Sequence, residues 1–347
     1  MFLQSGEFKL YSHCNEESVP QIGRKRNVRR TYSSSQWWSG GDRMNQIEWI
    51  AVDWGTSRMR LWALNAQGEI VETAAADAGM AKVAQGQFET TLLQLIEPWI
   101  ADHQDPVPVI ACGMVGARQG WQEVPYEAVP CTPSTQFSKV VTESDQVDVR
   151  ICWGLKQHSP ADVMRGEETQ IAGLLYHKTG FEGTVCLPGT HTKWARISAG
   201  EIVNFQTVMT GEIYALLSRQ SVLRFSLSDG DVDPESPAFR DALATALSQP
   251  HLAWAKLFQL HAAGLVGEPA PTQATERLSG TLIGLDLGAA RANWLGQQVL
   301  IIGAPRLAAL YDAALRLQGA APVVGDADAA TRAGLWSAWQ AYRKEHA

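Results

Sequence analysis

Cysteine is scarce in this chain and poorly placed for cross-linking. Five occur in 347 residues (Cys14, Cys112, Cys131, Cys152 and Cys186), an odd number with no Cys-x-x-Cys spacing. Neither a zinc site nor a disulfide framework is indicated, and a reducing cytoplasm is the expected setting. Long apolar runs are missing too. No stretch approaches the roughly 18 residues that span a bilayer, and the N-terminus lacks a compact apolar signal segment, so no membrane partner is expected. A basic excess is also absent: 29 Lys and Arg face 36 Asp and Glu, for a net charge of -7. Nucleic acid is therefore not expected as a partner.

What the chain has is length. At 347 residues it exceeds the usual single domain, and two domains of roughly 150 residues with a cleft between them are expected. Residues 1 to 43 stand apart, with a basic cluster RKRNVRR at 24 to 30, serines at 33 to 35 and no sustained period. They are expected to be a disordered extension, and Met44 looks like a natural beginning. The remainder divides as 44–160 and 161–347. IEWIAVDWG and RMRLWAL read as two strands joined by a tight turn, with a third after Gly68. Residues 88 to 103 place Phe88, Leu92, Leu95, Ile96, Trp99 and Ile100 on one helical face. Residues 107 to 113 form a buried strand, and helical spacing runs from Asp162 to Tyr176 after an acidic start. Mostly helices follow residue 210, including a long amphipathic region from Ala238 to Leu265. The strand QVLIIGAP and two further helices complete the chain.

One pattern occurs twice. VDWGTSRMRLWALNAQGEIV at 52 to 71 and VCLPGTHTKWARISAGEIV at 185 to 203 share an apolar run, a Gly-Thr turn, an alternating strand and a final Gly-Glu-Ile-Val. A glycine-tipped turn with hydroxyls beside it presents N–H groups in a small concavity suited to phosphate oxygens. Two such turns can grip a polyphosphate from both sides. Asp53, Gly55, Thr56 and Ser57 make the first clamp, with Asp53 able to hold Mg²⁺ directly or through water. Gly189, Thr190 and His191 make the second, and Lys193 is near enough in sequence to add positive charge. His191 reads equally well as a hydrogen-bonded hairpin residue, and Arg58 reads better as a solvated one.

These turns, with the late strand ending Ile-Ile-Gly-Ala-Pro, resemble the two phosphate motifs and the adenosine motif of the actin, sugar kinase and heat-shock ATPase superfamily. Over CGMVGARQGWQEVPY, DVMRGEETQIAG and LPGTHTKW the resemblance narrows to the 2-dehydro-3-deoxygalactonokinase family, and it runs from Met44 almost to the C-terminus. It implies an α/β fold of two ribonuclease H-like domains with an ATP cleft between them. The implied activity is Mg²⁺-dependent phosphorylation of the 6-hydroxyl of 2-dehydro-3-deoxy-D-galactonate by ATP. Gly303 and Ala304 would then border adenine. In sugar kinases of this superfamily an aspartate at a helix start before the second turn is the usual base; here Gly166-Glu167-Glu168 fills that place. Glu167 or Glu168 is expected to be catalytic, with Asp162 as an alternative. For an acidic substrate, Arg118 can pair with a carboxylate, Gln119 and Glu123 can bond hydroxyls, and Trp121 and Tyr126 can wall the pocket, with Gly120 allowing close approach. Gly79 and Met80 are expected to line the same pocket. The other readings are a kinase for another sugar or sugar acid and a non-enzymatic ATP switch. A sugar-sensing regulator would need a DNA-binding domain that the 43-residue tail is too short to supply. Oligomeric state stays open, a homodimer among the outcomes.

Overall fold

The computed structural model describes residues 47–133, 136–267 and 271–346. The expected extension of residues 1 to 43 lies outside them. Strands β1 (Trp49–Trp54), β2 (Met59–Leu64) and β3 (Ile70–Ala76) form an antiparallel meander. Its second turn is fixed by the Asn65 side chain, which accepts from the N–H groups of Gln67 at 3.0 Å and Glu69 at 2.9 Å. Helix α1 (Phe88–Ile100) then carries the chain across to β4 (Val107–Gly113), parallel to β1. The chain continues through β5 (Tyr126–Ala128) and the edge strand β6 (Phe137–Lys139) to β7 (Val147–Cys152), which is parallel to β4. The resulting sheet order is β3-β2-β1-β4-β7-β6. As its spacing predicts, α1 buries Phe88, Leu92, Ile96, Trp99 and Ile100 against Ile50, Val52, Leu61 and Val109 of this sheet. Large side chains buried this fully stabilise by about 1.5–3 kcal/mol each.

Strands β8 (Gly154–Gln157) and β9 (Asp162–Met164) join β5 in a small third sheet. Here the structure departs from the helical reading of residues 162 to 176. Gly166 sits at φ 106°, outside helical backbone, so α2 (Glu167–His177) starts only after it. A second meander follows: β10 (Gly183–Leu187), β11 (Thr192–Ser198) and β12 (Glu201–Val208). Then come α3 (Thr210–Gln220), α4 (Pro237–Ser248), α5 (Ala253–Leu265), α6 (Pro271–Ala289) and the single turn α7 (Arg291–Trp294). The amphipathic region expected to run from Ala238 to Leu265 divides at Pro250, which lacks an N–H and keeps Gln249 out of helical backbone. Finally β13 (Val299–Ile302), α8 (Pro305–Leu317), β14 (Val323–Gly325) and α9 (Ala327–Glu345) close the chain.

The second sheet runs β12-β11-β10-β13-β14, with β13 parallel to β10 and β14 parallel to β13. Both sheets therefore share one topology, a three-strand meander extended on its first strand by two parallel strands. That is the ribonuclease H-like order, twice over, and it is the actin-like ATPase architecture that the resemblance implies. Helices α2 and α9 cross between the sheets. Ile171 of α2 packs with Val185, Leu187 and Ile302 of the second sheet. Leu335, Ala338 and Trp339 of α9 pack with Trp49, Ala51 and Ile110 of the first, where Trp49 and Trp339 stack at 5.2 Å. Sequence position puts α9 with the second half; its packing joins it to both. At the crossing, a Cβ on Gly173 would lie 1.9 Å from the Ala330 oxygen, and one on Gly334 1.9 Å from that of Thr169.

Candidate functional site

Each Gly-Thr turn stands at the C-terminal end of its sheet's central strand. In the first, the Gly55 N–H donates to the Arg58 oxygen at 3.0 Å, leaving Thr56 and Ser57 exposed. Gly79 and Met80, expected to line the substrate pocket, lie against this turn. They buttress it: Met80 and Ala81 donate to the oxygens of Gly55 and Thr56, and a Cβ on Gly79 would lie 2.2 Å from the Ser57 carbonyl carbon. Asp53 lies just before the turn, opposite Arg60 in the β1–β2 register. Arg60 binds Asp53 through Oδ2 and also bonds Asp328 of α9. The other oxygen, Oδ1, faces the end of β4, 3.4 Å from where a Cβ on Gly113 would be.

The second turn is backed by the start of α3. Glu212 donates its N–H to the Thr190 oxygen at 2.9 Å, and a Cβ on Gly211 would lie 2.3 Å from the Gly189 oxygen. His191 pairs with Glu212 of α3, Nε2 to Oε2 at 2.5 Å. Lys193 points away from the turn, its buried ammonium donating to the Val163 oxygen at 2.7 Å and Thr207 Oγ1 at 2.8 Å. Gly189, Thr190 and Ala304 line one cavity of about 620 Å³, and Gly303 backs it by packing on Pro188. Its other walls were not anticipated: Thr210, Tyr214, Leu282, Ile283, Leu307, Leu310 and Tyr311, with Asp231 and Arg306 ion-paired beside it. Size and apolar lining suit a flat heterocycle. Asp286, fully buried behind this cavity, accepts from Trp194 Nε1 at 2.8 Å, Thr210 Oγ1 at 2.5 Å and the Tyr311 hydroxyl. Burial pushes its carboxyl up, and these three donors hold part of the rise back. A lone aspartate in the apolar stretch TLIGLDLGAA was the available signal.

Between the two turns sits the start of α2. The backbone of Gly166 passes against Gly113, with a Cβ on Gly166 falling 3.1 Å from the Gly113 Cα, so the glutamates adjoin the Asp53 end of the first sheet. Glu168 is 1% exposed, and both its oxygens accept from the Gly166 N–H at 2.7 Å. Burial, then the charge of Glu167, push its carboxyl up to about 7. Glu167 is half-buried, with Oε2 accepting from the Arg165 N–H at 3.1 Å. Burial raises its carboxyl too, while Lys193 and His191 pull it back. Asp162 is committed elsewhere: it accepts from the Thr207 N–H at 2.7 Å, Thr207 Oγ1 at 2.6 Å and the Val163 N–H at 2.8 Å, clamping β9 to β12.

The expected ligand loop is tightly folded after β4, closed by Trp121 N–H to the Val115 oxygen at 2.8 Å and Val124 N–H to the Gly116 oxygen at 3.1 Å. Gly120 is buried, and a Cβ there would lie 2.2 Å from the Val115 oxygen, so this glycine lets the loop close. Trp121 leans edge-on against Trp54 at 6.2 Å. Arg118, Gln119 and Glu123 are exposed, with Arg118 Nε 3.8 Å from Glu123. Tyr126 lies under the buried guanidinium of Arg165, 4.1 Å from ring centre to Cζ. Arg165 also donates to the Val124 oxygen at 2.8 Å, tying loop to acid helix, while its Nη1 is buried without a partner. Its place inside MRGEE was visible in the sequence; its reach of 41 residues back was not.

This geometry can be set beside known proteins. A Rhizobium meliloti (strain 1021) protein named as a 2-dehydro-3-deoxygalactonokinase is 37% identical over 300 residues, covering 84% of this chain and 97% of its own. The 2-dehydro-3-deoxygalactonokinase of Escherichia coli (strain K12) is 29% identical over 292 residues, covering 83% and 96%. A crystal structure from Sinorhizobium meliloti, described as a protein of the same kind, matches with a TM-score of 0.78 at 37% identity, over 84% of this chain and 96% of that one. The model of the 2-keto-3-deoxy-galactonokinase family matches residues 53–338, from Asp53 through both turns and the acid helix to within α9, and the chain belongs to that family.

Proposed function

We propose that the protein transfers the γ-phosphoryl group of ATP to the 6-hydroxyl of 2-dehydro-3-deoxy-D-galactonate. The observation that carries this reading is the position of Glu167 and Glu168 beside Gly113 and Asp53, an acid pair adjoining the phosphate end of the first sheet. A binding switch has no need of it. The turns supply N–H and hydroxyl donors to the phosphates, and the cavity behind Gly189 takes the base and ribose. Glu167, half-buried and the more accessible of the two, accepts the proton of the sugar hydroxyl as its oxygen attacks the γ-phosphorus. Glu168 fixes the Gly166 turn from behind. Arg118 holds the substrate carboxylate.

Mg²⁺ suits this donor set. Among the described residues there is no group of three His, Cys, Asp or Glu able to cage a metal, and magnesium prefers one or two carboxylates with phosphates and water. Asp53 Oδ1, left free of Arg60, and the hydroxyls of Thr56 and Ser57 are the protein donors; the ion, when bound, neutralises phosphate charge. The test is ADP release measured across a panel of sugars and 2-keto-3-deoxy acids with ATP and Mg²⁺. The galactonate derivative is expected to give the highest kcat/KM, with phosphate on its 6-oxygen. A better neutral sugar, or a better acid of other stereochemistry, would overturn the assignment.

A further inference from the structure

We propose that the outer face of α5 is the surface through which two copies of this chain form a dimer. Helix α5 is apolar on two sides. Inward, Leu257 and Leu260 pack with Leu278 and Leu282 of α6. Outward, Trp254 is 78% exposed, Phe258 63% and Leu265 75%, at positions i, i+4 and i+11 of one stripe, and Val266 beyond them is 81% exposed. Phe225, 73% exposed, extends the patch, because Ser226 Oγ bonds His261 Nδ1 at 3.1 Å on the same helix. At these exposures the five side chains offer roughly 600–700 Å² of apolar surface, above the few hundred usual on a monomer and close to the ~800 Å² per partner of a stable interface.

The face fits a second copy of itself. Paired antiparallel about a two-fold axis at residue 260, Trp254 of one helix meets Val266 of the other, and Phe258 lies over Ala262, large against small. Lys256 is the one charged residue in Ala253–Leu265, so no oppositely charged partner is called for. A membrane surface is disfavoured for the same reason, since interfacial helices carry a Lys- and Arg-rich polar face.

Light scattering and sedimentation of the full chain between about 1 and 50 μM test this, alongside Phe258→Glu and the milder Phe258→Ser. The expected result is a dimer whose dissociation constant rises at least about 100-fold in Phe258→Glu and measurably in Phe258→Ser. Kinase activity per chain should stay at the wild-type value, as the residue is exposed and does not line the Gly189 cavity, and the variant's melting temperature should match that of wild type diluted until it is monomeric. A wild-type chain that is monomeric at 50 μM, dimers that survive both substitutions, or a monomer that instead floats with anionic vesicles would each overturn the proposal.

Discussion

Glutamine in place of Glu168 keeps an acceptor for the Gly166 N–H and removes a charge from a place where charge is disfavoured. Burial and the neighbouring Glu167 push the Glu168 carboxyl up to about 7, from an ordinary 4.5. Between those two values the folded chain keeps a proton that the unfolded chain has released. Stability therefore falls as pH rises through that window and levels off above it. At about 1.36 kcal/mol per pKa unit, ionisation of this group costs about 1 kcal/mol at pH 5 and about 3 kcal/mol at pH 8. Urea unfolding of Glu168→Gln against wild type should show the variant more stable, with the gap widening by about 2 kcal/mol from pH 5 to pH 8. An unchanging gap, or a variant weaker at pH 8, would refute the account of a buried, charge-opposed carboxyl. Kinetics add a second readout. Because Glu168 keeps its proton while Glu167 ionises, the acidic limb of kcat/KM should stay where it is in wild type, and kcat should fall far less than in Glu167→Gln.

Glu167→Gln should lower kcat by about 10²–10⁴ with little change in KM for either substrate, measured by coupled ADP release; a fall in KM-dependent terms alone would count against it as the base. Asp53→Asn should lower turnover at least about 100-fold and raise the Mg²⁺ needed for half-maximal rate, and near-normal activity at limiting Mg²⁺ would remove Asp53 from the metal site. Gly211→Ala pushes a methyl into the Gly189 oxygen 2.3 Å away, so the second turn must shift; the KM for ATP should rise about tenfold and stability fall by about 1–3 kcal/mol, as read by titration and melting. Arg118→Ala should cost the sugar acid two to three powers of ten in kcat/KM, on the order of 2–4 kcal/mol, and leave ATP hydrolysis unaffected; equal losses on a neutral sugar would make it a structural residue.

The parts of the fold legible in the sequence are those whose signals are local. Strand β4 reads directly from VPVIACG, and the buried face of α1 from its 3.6 period, because both bury side chains set by their own spacing. The duplicated turn showed the duplicated hairpin, while the order of the parallel strands beyond it followed only from the family resemblance. Three things stayed hidden for one reason, distance along the chain. The cavity walls come from α3, α6 and α8, up to about 120 residues from the Gly189 they enclose. Arg165 acts on a loop some 40 residues upstream, and α9 returns from the end of the chain to the first sheet. Local signals misled where a single backbone feature outweighed periodicity: Gly166 delayed α2, and Pro250 cut the expected long helix in two. Among the candidate site residues, Gly79 and Gly120 are each required to be glycine by another backbone pressed against them, a close approach that the sequence does not display.

The crossing of α2 and α9 at Gly173 and Gly334 has a mechanical consequence. Helices normally lock through side-chain ridges seated in grooves, and turning one against the other means lifting each ridge out of its groove. Here the nearest approach is main chain on main chain, with no side chain at either glycine to act as a tooth. Such a contact resists separation, because the surfaces are flush, and leaves rolling to be restrained by its neighbours, among them the Gln170 Nε2 to Thr331 Oγ1 hydrogen bond at 3.2 Å. Any side chain installed there acts as a wedge and a brake together. Gly334→Ala should then stiffen the angle between the sheets as well as weaken the join, which small-angle scattering with and without ATP and Mg²⁺ can separate from simple loss of stability.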